Sequence, residues 1–136
     1  MKAAFLVGAN ALTLALTLGL TLGLAQTASA QCTCGGTAVA KPGVLLSGKT
    51  ACAVRGNEQW QEYHAPGGAL IDYKGGTPEQ VGTWSSGTST VTYNYGPGAV
   101  YTWSVCRVGA SGPYNFCNAA DKVMGATLKT GQTSCP

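Results

Sequence analysis

Residues Val81 to Cys106 read VGTWSSGTSTVTYNYGPGAVYTWSVC, and two runs within them alternate strictly. Val91, Tyr93 and Tyr95 interleave with Thr90, Thr92 and Asn94, while Tyr101, Trp103 and Val105 interleave with Thr102, Ser104 and Cys106. Side chains of an extended strand point alternately to its two faces, so period two gives each run one apolar and one polar face. Gly and Pro punctuate the runs, which predicts a three-strand antiparallel meander. A type II′ turn at Gly87-Thr88 would set Trp84 opposite Val91 and Gly82 opposite Tyr93. A two-residue loop at Pro97-Gly98 would pair Tyr93 with Thr102 and turn an apolar row to water. A three-residue loop, Pro97 to Ala99, keeps the faces together and pairs Tyr95 with Tyr101, Tyr93 with Trp103 and Val91 with Val105.

The pattern extends outward in both directions. Ala69 to Lys74 (ALIDYK) lies between Pro66-Gly67-Gly68 and Gly75-Gly76-Thr77-Pro78 and reads as a strand with Leu70, Asp72 and Lys74 on one face. Asn57 to His64 (NEQWQEYH) fits two periods. As a helix it has an Asn cap and a Trp60/Tyr63/His64 stripe; as a strand it puts Trp60, Glu62 and His64 together. The surrounding β signals favour the strand, and a barrel or sandwich interior receiving Trp60 would then receive Glu62 and His64 as a pocket. Val44 to Arg55 reads as two short strands or one bent strand, Tyr114 to Cys117 as a short strand, and Val123 to Lys129 as a last one. The sum is an all-β fold, a small antiparallel sandwich or barrel of about seven to nine short strands.

Both ends of the chain bear on compartment. Met1 to Ala30 has one early charge at Lys2, a long Leu/Ala/Thr run and Ala28-Ser29-Ala30, the layout of a signal peptide cleaved before Gln31. Residues 31–43 then read as an N-terminal tether and 44–136 as a single all-β domain. All six cysteines, Cys32, Cys34, Cys52, Cys106, Cys117 and Cys135, fall after the cleavage point. An even count in a small exported chain predicts a disulfide framework and a secreted or periplasmic location. The short Gly-rich connection between Cys106 and Cys117 suggests that these two pair, leaving Cys52 and Cys135 to Cys32 and Cys34. The Cys32-x-Cys34 motif is also a possible half-site for a soft metal, but one histidine and two methionines offer few further ligands. No metal and no cofactor are expected.

Charge excludes some partners. Removing Lys2 leaves seven Lys and Arg against five Asp and Glu, scattered without a basic run. No nucleic-acid partner is expected, and no membrane association after signal cleavage. The partner is expected to be a small ligand or an extracellular protein or glycan. No stretch carries a catalytic or cofactor motif. His64 is the lone histidine and the default acid-base candidate, with Glu62 or Asp72 to orient it. Paired carboxylates among Glu58, Glu62, Asp72, Glu79 and Asp121 would suffice for glycoside hydrolysis, but their spacing shows no convergence. The aromatic residues are the better lead: Trp60, Trp84, Tyr93 and Trp103, with His64, form the expected ligand-binding set, although the same residues would also fill a core. Gly82-Thr83-Trp84 resembles the Gly-x-Trp of lipocalin-like and avidin-like barrels, where the tryptophan plugs one barrel end. There it lies on the first strand, and no site residue is carried over from it. The leading expectation is a non-catalytic, exported binding protein; the alternatives are a small secreted hydrolase using His64 and a secreted enzyme inhibitor presenting Pro66–Gly68 or Gly109–Pro113.

Overall fold

The computed structural model describes residues 32–73 and 76–136. The signal-peptide reading of residues 1–30 therefore lies outside the described residues. The elements are β1 (Thr37–Ala38), α1 (Pro42–Leu46), β2 (Lys49–Arg55), β3 (Glu58–His64), β4 (Ala69–Asp72), β5 (Glu79–Ser86), β6 (Thr90–Asn94), β7 (Val100–Arg107), β8 (Tyr114–Cys117) and β9 (Lys122–Thr130). From β2 to β9 each strand pairs antiparallel with its successor, and β9 returns to β2 with Lys49 opposite Thr130 and Cys52 opposite Thr127. The result is a closed up-and-down barrel of eight strands, with β1 extending the far end of β7 on the β6 side. Closure removes the unpaired edges that an open sheet of this length would present to other chains.

Meander connectivity gives the barrel two unlike ends. The loops after α1, β3, β5, β7 and β9 gather at one end, and the loops after β2, β4, β6 and β8 gather at the other. At the first end α1 forms a plug. Pro42 supplies the fixed φ suited to a helix start, and the one-turn helix buries Pro42 and Leu46 completely. This corrects the expectation of a strand over Val44–Ser47: with both β2 edges already taken by β3 and β9, the apolar run before it has no ladder to join and caps the interior instead.

The faces of the Val81–Cys106 meander are as expected, but both hairpin registers are shifted by two residues. Trp84 lies opposite Tyr93 and Ser86 opposite Val91, and the Gly87 N–H donates to the Thr90 carbonyl at 2.9 Å. The turn is thus Thr88-Ser89, and neither residue takes the positive φ of a type II′ turn. In the next hairpin Tyr93 faces Tyr101 and Val91 faces Trp103, and the three-residue loop is Gly96-Pro97-Gly98, closed by Tyr95 N–H to Ala99 O at 3.0 Å. Gly96 and Gly98 both take positive φ, at 125° and 78°, which is why the loop centres on them and not one residue later. A shift of two preserves every face.

The sheet interior holds Leu70, Val91, Tyr93, Val105, Phe116, Val123 and Ala126, with Leu46 from the plug. β3 is a strand, and Glu62 and His64 are buried on the same face as Trp60. β2 faces inward with Ala51 and Ala53, small residues opposite Glu62 and Trp60, which leaves width for the larger side chains of the facing strands.

Disulfides fasten the first and last of the described residues to the barrel wall. The pairs are Cys32–Cys106, Cys34–Cys117 and Cys52–Cys135, with Cα separations of 5.7, 5.9 and 5.7 Å. The expected Cys106–Cys117 bridge is incorrect: in the β7–β8 hairpin Cys106 lies opposite Asn115 and Cys117 opposite Ser104, so the two cysteines are offset along the ladder. The N-terminal segment crosses both strands there, and Asn115 Nδ2–H holds it by donating to Cys34 O at 3.0 Å. The C-terminal segment lies over β2 and β3, where Cys135 N–H donates to Gln61 Oε1 at 3.0 Å and Thr50 Oγ1–H to Gly131 O at 2.8 Å. Three such pairs are consistent with an oxidising compartment.

Candidate functional site at the open barrel mouth

The end opposite the plug is open, and a cavity of about 520 Å³ runs into the barrel from it. That is the size range of small-molecule pockets. Its walls come from alternate residues of neighbouring strands: Trp60 and Glu62 of β3, Asp72 of β4, Tyr93 of β6 with Tyr95 just beyond its end, and Tyr101 and Trp103 of β7. Val81 joins them because Leu70 pairs with Gly82 and Ile71 with Gln80, leaving Val81 as the extra residue of a β-bulge beside the rim. Arg55, Glu58, Gln59 and Asp121 surround the entrance. Arg55 and Asp121 form an ion pair linking the end of β2 to the loop before β9.

The aromatic side chains support one another edge to face. Trp60 meets Phe116 at 5.0 Å between ring centroids and Tyr93 at 6.1 Å, both close to perpendicular, and Tyr95 lies 6.2 Å from Tyr101. Such pairs hold a wall in one arrangement before any ligand arrives. Tyr101 is exposed at the rim, whereas Tyr93 forms the buried floor.

Two polar pairs line the axis. Tyr95 O–H donates to Glu62 Oε1 at 2.6 Å, within the cavity. Behind the floor, Tyr93 Oη lies 2.8 Å from His64 Nε2, and His64 Nδ1 lies 3.3 Å from Lys49 O. A carbonyl only accepts, so Nδ1 carries the proton and Nε2 accepts from the Tyr93 hydroxyl. Burial lowers the His64 pKa to about 4, against smaller opposing effects of backbone hydrogen bonds, so the ring is neutral at neutral pH. Burial first, and the nearby Glu62 charge second, push both Tyr93 and Tyr95 above the ordinary phenol range, so both hydroxyls stay protonated and act as donors.

Of the five expected ligand-binding residues, the fold brings Trp60, Tyr93 and Trp103 to the cavity. His64 and Trp84 sit at the plugged end. Trp84 packs edge-on to His64 at 5.1 Å and its indole N–H donates to Ala65 O at 2.9 Å. Of the acid-base candidates, Glu62 and Asp72 line the cavity and lie opposite one another in the β3–β4 ladder. His64 is wholly buried, with a partner on each ring nitrogen. Tyr95 and Tyr101 of the aromatic rows and Glu58 and Asp121 of the candidate carboxylates also reach the cavity, whereas Arg55, Gln59 and Val81 were not among the candidates read from sequence. Glu58, Asp72, Tyr95, Tyr101 and Asp121 all flank turns that a meander sends to the same end. Away from the mouth, the sulfurs of Cys32, Cys34 and Cys106 lie within 4.8 Å of one another, but each belongs to a disulfide, which leaves no thiolate for a metal. No helix among the described residues is long and apolar enough to cross a membrane. No protein family, curated protein or solved structure matches this chain.

Proposed function

We propose that the chain is an exported, non-catalytic binding protein that holds a small amphipathic ligand in the open barrel mouth. The observation that carries this reading is the asymmetry of the barrel: one end is plugged by α1 with Leu46, while the other keeps an aromatic-walled cavity of about 520 Å³. A barrel built only for stability would fill both ends, since empty interior volume forfeits packing. The wall is mainly aromatic with a few polar groups, the composition that buries an apolar body and orients a polar one. A secreted or periplasmic location agrees with three disulfides in a small domain. Hydrolysis by His64 is the weaker reading, because that ring is sealed behind Tyr93 and does not border the cavity.

Titration of the oxidised protein with N-phenyl-1-naphthylamine, a neutral apolar fluorophore, tests the reading. The expected result is saturable one-to-one enhancement with energy transfer from tryptophan, weakened in Trp103→Ala and abolished in Val81→Trp, which fills the mouth. Unsaturable enhancement, or saturable binding unchanged in both variants, would place the dye elsewhere and sink the proposal.

A further inference from the structure

In chain order the basic residues are scattered and form no run. The fold sorts them by end. Lys41 immediately precedes α1, Lys49 opens β2, Arg107 closes β7 and Lys129 is the next-to-last residue of β9, so all four stand at the plugged end. Lys49 shares a strand face with the inward Ala51, and Arg107 shares one with the inward Val105. At the last ladder position that face runs out of barrel interior, which leaves both side chains on the rim. None of the chain's five acidic residues joins them: Glu58, Glu79 and Asp121 flank the turns of the open end, and Glu62 and Asp72 border the cavity that opens there.

The plug gives this basic end an apolar tip. Pro42 and Leu46, one turn apart, are turned into the barrel, so Val44 on the opposite side of α1 points away from it and is 77% exposed. Val108, next to Arg107, is exposed as well. A soluble polyanion would use the cations and leave Val44 in water. A bilayer with anionic headgroups uses both, since the cations gain from its surface potential while the valine enters the headgroup layer. Distance keeps the acids from cancelling the attraction. β2 and β7 have seven and eight residues, which at the usual rise and tilt of a barrel strand carry the far rim roughly 20 Å away. That is more than twice the roughly 8 Å over which physiological salt screens a charge.

We infer that the plugged end docks on a bilayer bearing anionic phospholipid headgroups, with Lys41, Lys49 and Arg107 over the headgroups and Val44 inserted among them. Lys129 is held to the C-terminal segment by its bond to Ser134 O at 3.3 Å and contributes from the side. This reverses the expectation, drawn from charges scattered in sequence, of no membrane association. The docking is independent of what the mouth holds, and it sets the direction in which the mouth faces, away from the bilayer.

The test is co-sedimentation of the oxidised protein, recovered from the exporting cell's medium or periplasm, with vesicles of phosphatidylcholine alone or of phosphatidylcholine mixed with phosphatidylglycerol. Dextran sulfate in solution is the polyanion control. The expected result is salt-sensitive binding to the anionic vesicles and none to the neutral ones. Lys41→Gln and Arg107→Gln each weaken it about fivefold, the effect of removing one charge near such a surface. Val44→Ser weakens vesicle binding and leaves any binding to dextran sulfate unchanged. Lys122→Gln, which removes a charge of the same sign at the open end, changes nothing. All four positions are exposed, and an unchanged thermal midpoint shows that each variant is folded. Failure to bind anionic vesicles, equal binding to both vesicle types, or an equal loss in Lys122→Gln and Lys41→Gln overturns the inference. Indifference to Val44→Ser overturns it as well, and together with binding to dextran sulfate would identify the partner as a soluble polyanion.

Discussion

Acid should destabilise this barrel through His64 before general protonation of carboxylates does. The ring is buried and neutral, donates from Nδ1 to Lys49 O and accepts from Tyr93 at Nε2, and its pKa is lowered from 6.5 to about 4. In the unfolded chain the same imidazole takes a proton near pH 6.5, so between 6.5 and 4 the unfolded state binds a proton that the folded state refuses. Stability from this source is complete above pH 6.5 and is lost as pH falls toward 4. At about 1.4 kcal/mol per pH unit, the interval from 6.5 to about 4 amounts to about 3 kcal/mol. That is a large part of the 5 to 15 kcal/mol typical of a small domain. The assay is urea unfolding at a series of pH values for the wild type and for His64→Gln, whose amide does not titrate. At typical urea slopes the wild-type midpoint falls by about 1 to 3 M relative to the variant across this window. Parallel pH profiles for the two proteins would refute the argument. Should the variant fail to fold, ring proton shifts of the wild type decide alone: a His64 titration centred near pH 6.5 would show that the ring is neither sealed nor held neutral.

Three further variants test the packing. Replacing both Cys52 and Cys135 by alanine opens a cross-link spanning 83 residues, for which the chain-entropy account gives a loss of about 4 to 5 kcal/mol, read as a drop in thermal midpoint. Limited proteolysis of the same variant should cut first in the released C-terminal segment that now lies over β2 and β3. Leu46→Ala empties the plug, where Leu46 is completely buried, and should cost about 2 to 5 kcal/mol in denaturant unfolding. Gly82→Ala would drive a methyl group into the Asn94 carbonyl, so the β5–β6 ladder must shift; a destabilisation of about 1 to 3 kcal/mol and faster amide exchange in that hairpin are expected.

Much of the architecture was legible because strand faces are a local property. Thr90 to Asn94 and Val100 to Arg107 alternate in the chain whatever their partners, and a register shift of two left Tyr93, Trp103 and Val105 on the interior side. The same logic joined Trp60, Glu62 and His64 on one face of β3 once that segment was taken as a strand. Turn placement was less legible: Gly87-Thr88 looked like the corner, but the backbone turns at Thr88-Ser89, a choice made by the ladder on either side. The cysteine pairing was misread because proximity in sequence says nothing about which strand a distant terminus will cross.

The sequence by itself determined the all-β class, the two-faced strands and the presence of enough cysteines to staple a small domain, all of which depend on residue type and on spacing of a few positions. Tertiary structure alone decided that β9 closes on β2, that Val44 to Leu46 turn into a helix that plugs one end, and that His64 and Trp84 lie behind the floor while Tyr95, Tyr101 and the carboxylates meet at the mouth. Those outcomes depend on pairings between segments scores of residues apart, whose free energy is shared among the whole barrel and written in no single stretch of it.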